Sequence, residues 1–247
     1  MSLITKTGII VLRTIEYSES SLISTVLSRE HGKISLIAKG ARRPRSKFSG
    51  MLQPGQVLEA VYYFKPTRSV QTLTEASYLH RLEEINRDVE KMAVSMCALE
   101  LVSQLIHEGD VNEAVFTFAR NFLVWLDLQE TVNRLIFPYL QVRLAFLVGL
   151  ELQIEGIDGG TESGYLNIGA GTVSKNAVSD HAIRLSKNQL QFLKSSAVSK
   201  KSSVLEKDLN KVELRSLIEH LDKYFRYHFE GVKPRSSDAI FDQILKG

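Results

Sequence analysis

Apolar and polar positions alternate with a period of two through the first eighty residues, and the period then becomes helical. Segments 7–17, 20–28, 33–38, 56–65 and 69–78 are rich in Ile, Val, Leu, Thr, Tyr and Phe, which suit a pleated, half-buried surface. Gly32, Gly40, Pro44, Gly50, Pro54, Gly55 and Pro66 fall between or beside these segments as turn punctuation. Glu30-His31-Gly32-Lys33 predicts a tight hairpin in which Gly32 takes positive φ, and Thr67-Arg68 lies in the next hairpin turn. Five short strands in about 75 residues fit a closed or nearly closed barrel, because closure removes exposed edges. The expected fold class is α+β, an N-terminal five-stranded OB-type β-barrel followed by an all-helical domain.

Past residue 80 the apolar positions recur near every 3.6 residues. Asn86 is placed to cap a helix carrying Val89, Met92, Ala93, Met96 and Leu99. Asp110-Val-Asn-Glu113 has the form of a capping box that opens a second helix through Phe116, Phe118, Phe122 and Trp125. Residues 129–149 predict a third helix, with Pro138 expected to kink it or mark a boundary. Residues 156–183 are glycine-rich and read as an irregular insert with at most a short strand or two. Ser186-Lys-Asn-Gln189 caps a short helix to about Ser195, and further helices are expected over 205–229 and 237–246. The expected domains are therefore 1–80 and 81–247.

Composition changes this picture through its distribution. The 247 residues are 44% hydrophobic and 24% charged, ordinary values for a globular chain. Residues 1–80 hold 11 Lys/Arg against 5 Asp/Glu, whereas residues 81–247 hold 20 against 23. This asymmetry points to a polyanion-facing module joined to a neutral or acidic one. No segment has the ~18 apolar residues of a membrane span, and the N-terminus does not read as a signal peptide. With a single cysteine, Cys97, no disulfide forms within the chain, and a cytoplasmic, nucleoid-associated protein is expected.

Signatures of catalysis are missing. The sequence has no GxxxxGK[ST] phosphate loop, no HExxH and no GxSxG, and GIDGG and GAGTVS lack dinucleotide-binding spacing. Six scattered histidines, with His220 and His228 eight apart on one predicted helix, offer no third metal ligand. We therefore expect no enzyme, no cofactor and no metal.

Lys39 to Lys47, KGARRPRSK, carries five cations and no acid between two predicted strands. Pro44 keeps it from continuing as a helix or central strand, so Lys39, Arg42, Arg43, Arg45 and Lys47 are expected to splay at the surface. Such a loop attracts a phosphate backbone through Coulomb attraction and counterion release. A solvated basic turn without a partner is the plainer alternative. Arg13 and Lys33 extend the patch from neighbouring strands, and Tyr62-Tyr63-Phe64 places at least one ring outward for stacking on a base. A second cationic group, Arg226, Lys233 and Arg235, surrounds the aromatic run 224–229, which also reads as a core seam. Charge alone does not separate DNA from RNA, so an OB-fold RNA-binding accessory factor is the alternative, and an adaptor for an acidic protein is a third.

The ordered motifs VLR at 11–13, Glu19, HGKISLIAKGARR at 31–43, Lys47, Gly50 and LQP at 52–54 resemble the N-terminal OB domain of the RecO family of DNA-repair recombination mediators. The closing YFRYHFEGVKPRSS at 224–237 is similar to the family's last helix and basic turn. Many members carry a four-cysteine zinc ribbon, whose counterpart here is 152–177. Glu155, Asp158, Ser174 and Ala177 stand near the ligand positions, so the ribbon is degenerate and zinc is not expected. The resemblance implies a protein that binds single- and double-stranded DNA and anneals complementary strands. It also implies that, with RecR, the protein helps load RecA onto DNA covered by single-strand DNA-binding protein. The implied partners are DNA, RecR and the acidic, apolar tail of the covering protein, with Arg134 and Arg143 on the third predicted helix as candidates for the tail.

Overall fold

The computed structural model describes residues 3–198 and 204–237. The chain divides into two compact units, 1–130 and 131–247. In the first unit β1 (Leu3–Glu16), β2 (Leu22–Ser28), β3 (Gly32–Ala38), β4 (Val57–Phe64) and β5 (Val70–His80) close into a barrel in the order β1-β2-β3-β5-β4. The first half of β1 pairs with β4 and its second half with β2, with a bulge between Val11 and Arg13 that lets one strand serve two neighbours. Closure comes from a short parallel pairing of β3 residues 35–37 with β5 residues 70–72.

Alternation decides what each strand buries. Ile9, Val11, Val26, Leu36, Leu58, Tyr62 and Leu73 meet in the barrel core. The interposed positions Ile10, Leu27 and Val57 form a row across β2, β1 and β4, and each is fully buried although it points out of the barrel. The helices α1 (Val89–Leu105) and α2 (Glu113–Asp127) pack against this side: a Cβ on Gly8 would stand 3.1 Å from the Phe116 ring, and one on Gly55 3.7 Å from Leu99. Asp88, not Asn86, caps α1 by accepting from the Lys91 amide at 2.9 Å, and Asn112 caps α2 in the same way through Val115. Asn86 instead donates to the Leu82 carbonyl.

The loop between α1 and α2 is tied to the β2–β3 turn. Gly109 donates to the Lys33 carbonyl at 2.9 Å, and the Lys33 ammonium donates to the Ser103 carbonyl at 2.6 Å, near the end of α1. Gly32 sits at φ +64, and a Cβ there would lie 1.9 Å from the Asp110 carbonyl oxygen. The boundary expected at residue 80 thus falls inside one packed unit.

The second unit corrects the expectation of an all-helical domain. It contains α3 (Ile136–Leu147), β6 (Gln153–Ile154), β7 (Ser163–Asn167), β8 (Thr172–Ser174), β9 (Ala182–Ser186), α4 (Lys187–Val198) and α5 (Lys211–His228). The glycine-rich insert is a four-stranded sheet in the order β6-β8-β7-β9. Its buried Leu166, Val173 and Leu185 supply an apolar face, and α4 and α5 bury Leu190, Phe192, Leu193, Leu217 and Leu221. Burial of each such side chain contributes roughly 1.5–3 kcal/mol, enough for very short strands to persist. Pro138 lies in the first turn of α3, where it fixes a boundary and leaves no kink to explain. The helix expected over 237–246 lies, apart from Ser237, outside the described residues.

Candidate nucleic-acid interface

The KGARRPRSK loop leaves the end of β3 as a run of linked turns. Arg43, Ser46, Ser49 and Met51 donate their amides to carbonyls three residues back, at 3.1 Å each. Ala41, Phe48 and Leu52 from this loop are buried in the barrel core, so the loop plugs one barrel end. Its charged side chains are left outside: Lys39, Arg43, Arg45 and Lys47 are all exposed. Arg45 is held in the left-handed region at φ 60°, and Lys47 lies 5.3 Å from the centre of the Phe48 ring.

Arg42 differs from its neighbours. Its guanidinium pairs with Glu16 at 2.9 Å and donates to the Ser18 carbonyl at 2.8 Å, while its amide donates to Ser20. The β1–β2 turn is thereby clamped to the basic loop, while Arg42 itself stays exposed. Arg13, on the same stretch of β1, is exposed. Lys33 is not brought into the patch. It belongs to the opposite barrel end, its ammonium is bonded to Ser103, and burial pulls its pKa below the ordinary lysine value.

The three consecutive rings of β4 separate by alternation. Tyr62 is buried, and its hydroxyl meets Ser28 at 2.9 Å and His31 Nδ1 at 2.8 Å; burial pushes its pKa to about 12. Tyr63 points outward with 43% of its surface exposed, opposite Ile4 of β1. Phe64 stacks on His31 at 3.6 Å between ring centres. Sequence reasoning did not foresee this stack, because His31 in the β2–β3 turn and Phe64 at the end of β4 are brought together only by the barrel.

In the second unit the structure divides the second cationic group. Arg226 and Lys233 are exposed. Arg235 is buried, with its guanidinium on both oxygens of Asp222 at 2.5 and 2.7 Å and 4.8 Å from the Phe137 ring centre. Asp222 also accepts from Gln141 at 2.7 Å. This corrects the assignment of Arg235 to DNA: its charge is consumed in a buried pair that pins the segment after α5.

Arg134 borders a cavity of about 350 Å³ between residues 132–135 and 205–214, with Leu135, Leu209 and Leu214 as apolar lining and Lys207 and Lys211 at its rim. Arg143 does not line that cavity, and its guanidinium lies 5.1 Å from the Phe146 ring centre. At the degenerate ribbon, Asp158 pairs with Lys175 at 2.9 Å and also accepts from Thr161 and Gly160, while Ser174 donates to the Asn176 carbonyl. Ala177 has no ligating atom, so these positions do not fit a zinc site. Among the described residues no group of three His, Cys, Asp or Glu is placed to hold a metal ion. No described helix is long and apolar enough to cross a membrane.

Comparison with known proteins decides the family. The family model for the recombination protein O N terminal matches residues 1–81, and that for its C terminal matches residues 86–238. The chain belongs to the RecO family. Its relatives include the DNA repair protein RecO of Salinibacter ruber, 30% identical over 98% of this chain and 94% of that protein. The DNA repair protein RecO of Chloroherpeton thalassium is 28% identical over 98% of this chain and all of its own length (100%). That of Chlorobium phaeobacteroides is 35% identical over 62% of this chain. The two RecO family models meet between residues 81 and 86, whereas the compact units meet at residue 130. In this chain the sequence-defined C-terminal part therefore contributes α1 and α2 to the packing of the barrel.

Proposed function

We propose that this RecO-family chain is a non-enzymatic recombination mediator that binds single- and double-stranded DNA and anneals complementary strands. In this reading it also acts with RecR to help load RecA onto DNA covered by single-strand DNA-binding protein. The observation that carries the DNA-binding step is the plugged basic loop. Five exposed cations, Lys39, Arg42, Arg43, Arg45 and Lys47, of which Arg42 is paired to Glu16, stand on a backbone anchored by three buried apolar side chains. A left-handed arginine costs about 1–2 kcal/mol, and such strain persists where the surrounding structure over-determines it, often at ligand sites. The strand order 1-2-3-5-4, closed by β1, supports the OB-type reading of the barrel. A surface of this kind contacts phosphates and reads no bases.

The tail of the covering protein, acidic and apolar, suits the cavity bordered by Arg134, whose leucine lining would take apolar side chains and whose three cations outnumber its one acid, Asp208. The deciding experiment is annealing of complementary strands precoated with single-strand DNA-binding protein. Annealing of coated strands, lost in an Arg134→Glu variant that still anneals naked strands, is the expected result. A wild type that anneals naked strands and fails on coated ones would reduce the protein to a general nucleic-acid binder.

A further inference from the structure

The barrel has a second opening, at the end opposite the basic loop, whose chemistry differs from that of the loop. The β2–β3 and β4–β5 turns and the α1–α2 loop enclose a cavity of about 380 Å³. One wall is the His31–Phe64 stack, 3.6 Å between centres with the rings 15° from parallel. His31 is held by its Nδ1 contact to Tyr62, which in turn meets Ser28. The opposing rim is the β4–β5 turn, including Pro66, Arg68 and Ser69. Buried Gln71 fixes that turn by accepting from the Lys65 amide at 2.8 Å and donating to the Lys65 and Arg68 carbonyls at 3.1 and 2.7 Å. Ring wall and turn are therefore both built in advance of any ligand.

The charge around the cavity is balanced. Lys33 and Arg68 line it, and so do Glu30 and Glu108. A free phosphate gains as much repulsion as attraction there. Burial lowers the pKa of His31, which keeps the imidazole uncharged near neutral pH. A cavity without net charge, with a planar aromatic wall, the Thr67 and Ser69 hydroxyls and fixed charges of both signs, suits a flat, uncharged group with hydrogen-bonding edges. We propose that this cavity takes a single unstacked nucleobase of a bound strand, against the His31–Phe64 wall.

The inference rests on the DNA-binding reading above. It adds a base-holding position where the basic loop offers only phosphate contacts. β3 joins the two, running from Gly32 beside the cavity to Ala38 beside the loop. At 3.3 Å per residue its seven residues span about 20 Å, within the reach of the about 4–16 nucleotides one OB barrel covers.

The test compares oligothymidylate with an abasic strand of the same length on the full chain. Wild type is expected to bind the base-bearing strand about tenfold more tightly, the size of one stacking contact. Ser69→Trp fills the cavity from an exposed turn position, and His31→Ala removes one ring of the wall. Both are expected to narrow the gap while leaving affinity for the abasic strand unchanged. A strand carrying 5-iodouracil should crosslink to His31, Phe64 or residues 66–69. If wild type binds both strands equally, or the gap survives both variants, or crosslinks map only to residues 39–47, the base position is wrong and the basic loop stands. If wild type binds neither strand, the DNA-binding reading fails and the base position falls with it.

Discussion

Arg42 and Arg45 stand three positions apart in one loop, yet the structure gives them different tasks. Arg45 is exposed and strained, whereas Arg42 is paired to Glu16 with its side chain 34% exposed. Each phosphate contact to a single strand contributes about −0.7 to the slope of log affinity against log salt. Replacing Arg43 and Arg45 together by Ala should therefore make the slope shallower by about 1.4 in a salt titration. Arg42→Ala should move the slope much less and lower the urea midpoint slightly, since an exposed pair contributes up to about 1 kcal/mol. Arg235 poses the opposite case. Removing it leaves Asp222 largely buried without its cation, so Arg235→Ala should cost about 3–5 kcal/mol in chemical denaturation. The same change should leave the DNA salt slope as it was. In the sequence, Arg235 was indistinguishable from Arg226 and Lys233, because a run of cations after an aromatic helix looks the same whether or not an acid awaits it. Asp222 lies thirteen residues upstream, and only folding supplies that partner.

At the scale of elements, the strands of the barrel were legible because each is at least seven residues long and rich in β-branched and aromatic residues between turn signals. The caps of α1 and α2 shifted by two residues, since several residues near each start could accept from the first turn, whereas Ser186 caps α4 as expected, accepting from the Gln189 amide. The insert sheet was not legible. Its strands run two, five, three and five residues, too short for a period of two to show between glycines. Side-chain clamps hold the loops between its strands. Asp158 is held far below the usual carboxylate range, at about 2, first by the Lys175 hydrogen bond, then by Thr161 and the Lys175 charge. A carboxyl depressed in the folded state stabilises it above the ordinary carboxylate pKa, and that contribution fades as pH falls towards 2. The Asp158 carboxyl carbon should therefore titrate near 2 by NMR, and in Lys175→Ala it should titrate at a clearly higher pH. Because the clamp is made of protein groups, chelator treatment should leave thermal unfolding unchanged. A drop in melting temperature with EDTA would show that a metal holds the sheet.

The whole molecule separates its charges more sharply than a two-part division suggests. Residues 1–80 hold 11 Lys/Arg and 5 Asp/Glu, residues 81–130 hold 4 and 10, and residues 131–247 hold 16 and 13. The acidic excess is thus confined to α1, α2 and their flanks, inside the compact unit that contains the basic barrel. Charge complementarity between barrel and hairpin appears directly in the ion pair of Arg29 with Glu113. Apolar packing reinforces it, because Ile10, Leu27 and Val57 are buried on the outside of the barrel, on the side where Phe116 and Leu99 pack. A barrel cut at residue 81 would return that row to water, losing roughly 1.5–3 kcal/mol for each side chain, on the scale of a small domain's whole stability. Gly32 marks the same dependence, since Gly32→Ala would drive a methyl into the Asp110 carbonyl and force the α1–α2 loop off its turn. We therefore expect a 1–130 fragment to unfold cooperatively in urea and to retain the salt-dependent DNA binding of the full chain. A 1–81 fragment should aggregate or lack a cooperative transition, and Gly32→Ala in 1–130 should lower the midpoint by at least about 2 kcal/mol in stability. A 1–81 fragment as stable as 1–130 would mean that the hairpin merely adjoins the barrel and that the family-model boundary near residue 81 is also the physical one.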